Sequence, residues 1–431
     1  MKKIPSLLLL VVLLWLLAGS ARAEDAPPHS VLDELVAVAL ADNPELKAAQ
    51  ARWHLYEHKV VPAASLADPA LSFAFSNYPV DTFSAGNTPM TGNIVRLFQE
   101  FPFPGKLGAR EEAAAAEARW YKGVWEDNQR QLVRQVKQAY FSFYFYEKAV
   151  AVTDRNLRLL KDFIRLTETN YEVGKGLQQD VLKAQVEYSK LTDTRYGLQQ
   201  KRETALAELN RLLDKPPATP LARLEDFGLP EPQESVEALQ EKAATNRPLY
   251  AAYKSLAESY KAKQRLARLN YLPDFKVGVA YTFREPTAAD NGTDFASLEL
   301  GINLPLAWGK RKEASEESNA GLTMVLEQYR DFRNKVLFNI QEAYSSLQQN
   351  REQARLYRSG LMPQAAQSFE AALSGYRVGK VGFLPLLDSL LTLQGLEIEY
   401  FRRLTDGQRS LAKLEAESGV DFALPAGAPL P

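Results

Sequence analysis

From Leu132 the chain places residues in steps of four and three at Val136, Ala139, Phe143, Tyr146, Val150, Thr153, Leu157, Leu160, Ile164, Thr167 and Tyr171. All but the two threonines are apolar or aromatic. A 3.5-residue period sustained over more than three heptads specifies helices that coil around one another. The pattern predicts one helix over residues 105–171, which at about 1.5 Å per residue is ~100 Å long. That is more than three times the ~30 Å hydrocarbon core of a bilayer, and no compact domain needs it.

The period returns at Val336, Ile340, Ala343, Leu347, Asn350, Ala354, Tyr357 and Leu361, with only Asn350 polar. Beyond a Val173-Gly174-Lys175-Gly176 turn, a descending helix carries Ala184, Leu191, Leu198, Ala205 and Leu212 at every seventh position. These are two copies of one unit. Asn43-Pro44-Glu45-Leu46 corresponds to Asn246-Arg247-Pro248-Leu249, and Gly105-Lys106 to Gly309-Lys310. Gln138-Ala139-Tyr140 matches Glu342-Ala343-Tyr344, and Tyr171-Glu172-Val173-Gly174-Lys175 matches Tyr376-Arg377-Val378-Gly379-Lys380. Four matches in order at nearly constant offset define a tandem duplication. The first pseudo-repeat covers about 31–214, a Pro-rich linker 215–232, the second pseudo-repeat about 233–420, and a loose tail 424–431.

Each copy reads as helix, two strands and two long helices. The first helix spans 33 to about 60. Residues 70–76 then alternate, with Leu71, Phe73 and Phe75 on one face, and residues 275–283 are apolar at every odd position. Lys276, Gly278, Ala280 and Thr282 occupy the other face. Large apolar residues outside and small or polar ones inside suit a membrane barrel around a wet lumen. A half-buried strand of a soluble sandwich alternates in the same way, and these strands alone do not separate the two. The second strands, 93–101 and 295–303, carry Arg96, Glu100 and Glu299. A membrane barrel needs at least ~8 strands, so a chain with four must pool strands with copies of itself or form no barrel.

Composition removes other classes. Zero Cys and three His exclude thiolate sites, cysteine nucleophiles and disulfide frameworks. Lys+Arg 52 against Asp+Glu 53 leaves no basic surplus for nucleic acid. Lys2 and Lys3 precede an apolar run over 7–17, and Ala21-Arg22-Ala23 completes a secretory signal peptide at 1–23. No Cys follows it to carry a lipid anchor, and no later run reaches 18 apolar residues, so any span must be made of strands. His54 and His58 share a helix face without an evident third ligand, so no metal site and no cofactor is expected. There is no Walker loop and no Gly-x-Ser-x-Gly, and the reading is a non-enzyme.

The ordered set of signal peptide, duplicated strand pair and long hairpin, the Pro104-Gly105-Lys106 junction and the Tyr-x-Val-Gly tips resembles the TolC-type outer-membrane efflux channels. The second junction, Trp308-Gly309-Lys310, departs from the pattern. The segment Leu97-Phe98-Gln99-Glu100-Phe101-Pro102-Phe103-Pro104-Gly105-Lys106 resembles the branch serving heavy-metal cation exporters. The resemblance implies a mostly α fold with a small β part, in which three chains pool four strands each into one barrel above a periplasmic tunnel. It also implies an outer-membrane location in a Gram-negative cell, a periplasmic membrane-fusion adaptor, and an inner-membrane pump of the resistance-nodulation-division type. The cargo would be metal cations, or drugs and small solutes.

In that family, carboxylates inside the hairpin tips ring the entrance. By motif these are Asp180 and Asp388. A ring of like charges at a constriction favours cations, while a carboxylate in the first turn of a helix also simply faces the dipole. Tyr376, Arg377 and Lys380 are candidates to latch a closed state against a neighbouring hairpin. The tips Val173, Gly174, Lys175 and Gly176, with Val378, Gly379 and Gly382, are the expected docking points for the adaptor, although glycine as helix terminator accounts for part of this pattern. Pro385 is expected to interrupt the first turn of the last helix. Two other readings stay open: a periplasmic coiled-coil adaptor, which would normally carry one hairpin between β-rich modules, and a soluble helical binding protein, which would need a pocket.

Overall fold

The first helical segment breaks where its sequence supplies a cap. The computed structural model describes residues 30–221 and 223–422; the leader at 1–23 and the tail at 424–431 lie outside them. Ser30 accepts from the Asp33 amide and starts α1 (Val31–Asp42). Asn43 then accepts from the Leu46 amide at 3.0 Å, and Pro44 opens α2 (Pro44–Glu57), followed by a short α3 (Val60–Ala64). The helix expected without interruption over 33–60 is thus divided at Asn43-Pro44, because proline suits only the first turn of a helix.

Strands β1 (Ala70–Ser76) and β2 (Gly92–Phe101) lead into α4 (Lys106–Glu172), a single helix of 67 residues. The descending α5 (Gln178–Leu212) buries Ala184, Leu191, Ala205 and Leu212 against it, on the heptad positions expected. The second copy repeats the order with α6 (Val236–Asn246), α7 (Pro248–Leu269), β3 (Phe275–Phe283), β4 (Phe295–Ile302), α8 (Trp308–Leu356), α9 (Met362–Arg377) and α10 (Phe383–Ser418). Among the described residues no helix is long and apolar enough to cross a membrane.

Between α8 and α9 the chain takes one π-helical turn, Tyr357–Leu361. Pro363 follows one residue after it, and its ring cannot tolerate the carbonyl four residues back, that of Ser359 within the turn, so the wider turn accommodates it. The extra residue shifts the apolar stripe. After Ala354 the buried position is Met362, not Leu361 as the heptad predicts, and Ala365 and Phe369 continue from there.

The four strands form one antiparallel sheet in the order β1-β2-β3-β4, so the two copies join at β2–β3. The helices pack in three apolar clusters: one where α1, α4, α5 and α10 meet, one where α6, α7, α8 and α10 meet, and one near the hairpin tips. The linker is a packed strap. Phe227 lies with its ring 4.7 Å from Phe141 and 4.6 Å from Tyr144, and Asp226 accepts from the Tyr144 hydroxyl at 2.6 Å.

Candidate functional site

The sheet has two unlike faces. Pairing sets Leu71 opposite Leu97, Leu97 opposite Val279, and Val279 opposite Leu298, so the apolar residues of all four strands share one side. That side is open: Phe73 and Phe75 are each 70% exposed and Leu300 75%. An apolar band of this kind across a sheet suits lipid, since in water every Å² of it would cost about 25 cal/mol. The opposite face carries Ser72, Ala74, Arg96, Lys276, Gly278 and Glu299, with Arg96 Nε 2.9 Å from Glu299 Oε1. Lys276 Nζ sits 3.6 Å over the Phe98 ring. Edges β1 and β4 have no strand beyond them among the described residues.

At the strand-to-helix junction Gly105 takes φ +93°, a conformation that side chains resist, and caps α4. The next residue, Lys106, is almost fully buried and donates to Asp274 Oδ1 at 2.7 Å and to the Leu272 carbonyl at 2.9 Å. Asp274 also accepts from the Phe103 amide at 2.7 Å. Its carboxyl lies below the ordinary range: burial alone would raise it, but Lys106, the Phe103 amide and Asn303 together outweigh burial.

The hairpin tips share one geometry. Gly174 at φ +72° and Gly379 at φ +75° end the ascending helices in the left-handed conformation. The Lys175 amide donates to the Asn170 carbonyl at 2.8 Å, and the Lys380 amide to the Gly375 carbonyl at 2.9 Å. The tip residues Val173 and Val378 are exposed, as are Lys175, Gly379 and Gly382, while Gly176 is half-buried. Pro385 does not interrupt α10. It is the third residue of that helix, where an amide has no intrahelical partner to lose.

Asp180 is likewise the third residue of α5, half-exposed, so its repeat counterpart is Pro385 and not Asp388. Asp388 lies three residues further into its helix and is exposed. The two carboxylates therefore sit about 4.5 Å apart in depth along their hairpins. Tyr376 is brought to the other hairpin: its hydroxyl accepts from Asn170 Nδ2 at 3.1 Å and its ring lies 5.9 Å from Phe383. Arg377 and Lys380 point into solvent, and neither they nor Asp180 or Asp388 form an ion pair within the described residues.

Three features of the structure leave little signal in the sequence. Asn170 lies in the ascending stripe's polar gap, and only its position five residues before Lys175 hints at a capping role. Phe163, Phe369 and Phe383 pack the two hairpins together just inside the tips. The repeat marks both members of the Lys106–Asp274 pair, since Asp68 matches Asp274 and Lys310 matches Lys106, but nothing in the sequence shows that residues 168 positions apart meet.

A sheet with one greasy and one charged face, carried on two long helical hairpins, defines a protomer of an outer-membrane channel that extends into the periplasm, and it does not fit an adaptor with a single hairpin between β modules. The family model described as "Outer membrane efflux protein" matches residues 35–214 and 239–420, and the chain belongs to that family. Its members are ducts, not enzymes, that work with an adaptor and a pump. The chain is 24% identical over 403 residues to the outer membrane efflux protein BepC of Brucella suis biovar 1 (strain 1330), covering 89% of this chain and 84% of that one. It is 23% identical over 384 residues to the cobalt-zinc-cadmium resistance protein CzcC of Cupriavidus metallidurans, covering 86% of this chain and 85% of that one. The fold is similar to the Campylobacter jejuni CmeC outer membrane channel, with TM-score 0.78 and 15% identity over 90% of this chain and 86% of that one.

Proposed function

We propose that three copies pool their strands into a twelve-stranded barrel and continue it as a helical tunnel through which metal cations leave the cell. The observation that carries this is the four-stranded sheet, with two open edges, an apolar face and a charged face. Closing such a sheet with further copies satisfies its edges, which no lipid can do. The cation reading draws on the similarity to CzcC, named for cobalt-zinc-cadmium resistance, and on carboxylates at the tips; a drug or other small solute is the second reading, because the chain is equally similar to BepC, whose name as an efflux protein specifies no metal. Energy input lies with an inner-membrane pump of the resistance-nodulation-division type, reached through a periplasmic adaptor that docks on the exposed Val173 and Val378 tips.

In this reading Asp180 and Asp388 line the periplasmic entrance in two layers, and Tyr376, Arg377 and Lys380 hold neighbouring hairpins in the closed arrangement. Cations entering would meet the carboxylates in turn and be released between them, as multi-site passage requires. The test is single-channel recording in planar bilayers with purified protein. Asp180→Ala with Asp388→Ala should raise conductance or weaken block by divalent cations; unchanged traces would remove both residues from the gate.

A further inference from the structure

The duplication reveals how one copy must meet the next. Aligned by which face each strand presents, β1 falls on β3 so that Leu71, Phe73 and Phe75 match Val277, Val279 and Tyr281, and Asp68 matches Asp274. Likewise β2 falls on β4: Val95 and Leu97 match Leu298 and Leu300, and Lys106 at the following junction matches Lys310. The internal β2–β3 seam is closed by Lys106 and Asp274. Their counterparts stand at the two outer edges of the sheet. Lys310 follows β4, Asp68 precedes β1, both are exposed, and neither has an ion-pair partner among the described residues.

They cannot meet within one chain. Three inter-strand spacings, about 14 Å, separate β1 from β4. The helices show the same gap. α4 packs against its own α2 and against α7 of the second repeat, whereas α8 packs against its own α7 and makes no comparable contact with α2. The missing neighbour of both α8 and β4 is therefore the start of a second copy.

We propose that Lys310 of one copy pairs with Asp68 of the next, locking β4 to the neighbour's β1 in the register that β2 uses with β3. Resting on the oligomeric barrel read above, this fixes which residues meet. As Leu97 lies opposite Val279 and Arg96 opposite Ala280, Leu300 lies opposite Phe73 and Glu299 opposite Ala74 of the neighbouring copy. The register keeps Leu300 and Phe73 both on the apolar side, and a slip of one residue would turn the whole strand inside out. The pair sits where the seam leaves the sheet, so it also sets where each copy's helix layer begins.

The test uses the full chain in outer membranes. Leu300→Cys with Phe73→Cys should oxidise to covalent trimers on denaturing gels, while Leu300→Cys with Ser72→Cys should not. Lys310→Glu and Asp68→Lys should each lose the heat-resistant trimer band, and the double swap should regain it; Lys312→Glu, an exposed cation two residues on, should leave it intact. Trimers that form with cross-links in another register, or single losses that the swap does not repair, overturn the clasp while the barrel stands. Recovery of the unmodified chain as a soluble monomer would overturn the barrel as well.

Discussion

The two repeats carry one architecture with different chemistry at matching points. At the break between the first two helices the first copy has Asn43, which caps α2 and donates Nδ2 to the Leu212 carbonyl at 3.0 Å. The second copy has Arg247 there, buried between Asp127 at 2.8 Å and Glu417, with its guanidinium 5.0 Å above the Phe332 ring. A helix break can thus be held by a neutral cap or by a buried charge cluster. The cluster ties α7 to α4 and to the end of α10, so it joins both repeats, whereas the cap serves only the first. Duplication leaves each copy free to specialise, and at this helix break it is the second that carries the cross-link.

The comparison breaks most readily at Arg247. Arg247→Ala leaves two buried carboxylates without a counter-charge, which should destabilise the protein by about 3–5 kcal/mol. Asn43→Ala removes one cap and should cost about 1 kcal/mol. Thermal unfolding of the two variants in detergent measures the difference. Equal losses would mean that the Arg247 cluster is no more than a cap.

The hairpins allow a finer comparison, because Tyr376 of the second reaches Asn170 of the first while the first tip's Tyr171 is exposed. Tyr376→Phe keeps the ring against Phe383 and removes only the hydroxyl, a net loss of about 1 kcal/mol. Amide exchange at Lys175 and Gly176, both bonded to the Asn170 carbonyl, should quicken, while exchange at Lys380 stays unchanged. Uniform exchange at both tips would show that the hydroxyl does not couple them.

Periodic and local features were legible in the sequence. The alternation located β1 and β3 at their observed ends, and the Val-Gly pairs located both turns, because period and glycine conformation are properties of short segments. What escaped depends on contacts between distant segments or on one residue working against a pattern. Lys106 and Asp274 are 168 positions apart. Pro363 changes the helix from within, so the stripe drawn through Leu361 missed Met362 by one residue. Asp388, beyond Pro385, already reads as deeper than Asp180 from its distance to the Val-Gly turn, and the helix starts at Gln178 and Phe383 turn that into a difference of three residues along the helix. In the sequence the strap is only a Pro-rich linker, because prolines mark a break without saying what the aromatic residue between them packs on.

The strap offers the smallest effect and the sharpest pH dependence. It runs over the first copy's ascending helix, where Lys148 lies 2.8 Å from Asp226 Oδ1. Lys148 first, then the Tyr144 hydroxyl, hold the Asp226 carboxyl below its ordinary range, while burial and the same hydrogen bond push the Tyr144 phenol up. A carboxyl whose folded pKa is depressed contributes stability that is present above its unfolded value of about 4 and lost as pH falls through the folded value. The strap's contribution is therefore constant through neutral pH, because Tyr144 also stays protonated there. Asp226 is half-exposed, so solvent screening limits the ion pair to under about 1 kcal/mol. Asp226→Asn should lower the unfolding temperature by a small, constant amount between pH 5 and 8, and the gap from the parent should close as pH falls below about 4. A gap that persists into acid would assign the strap's hold to the Phe227 ring contacts and not to the charge.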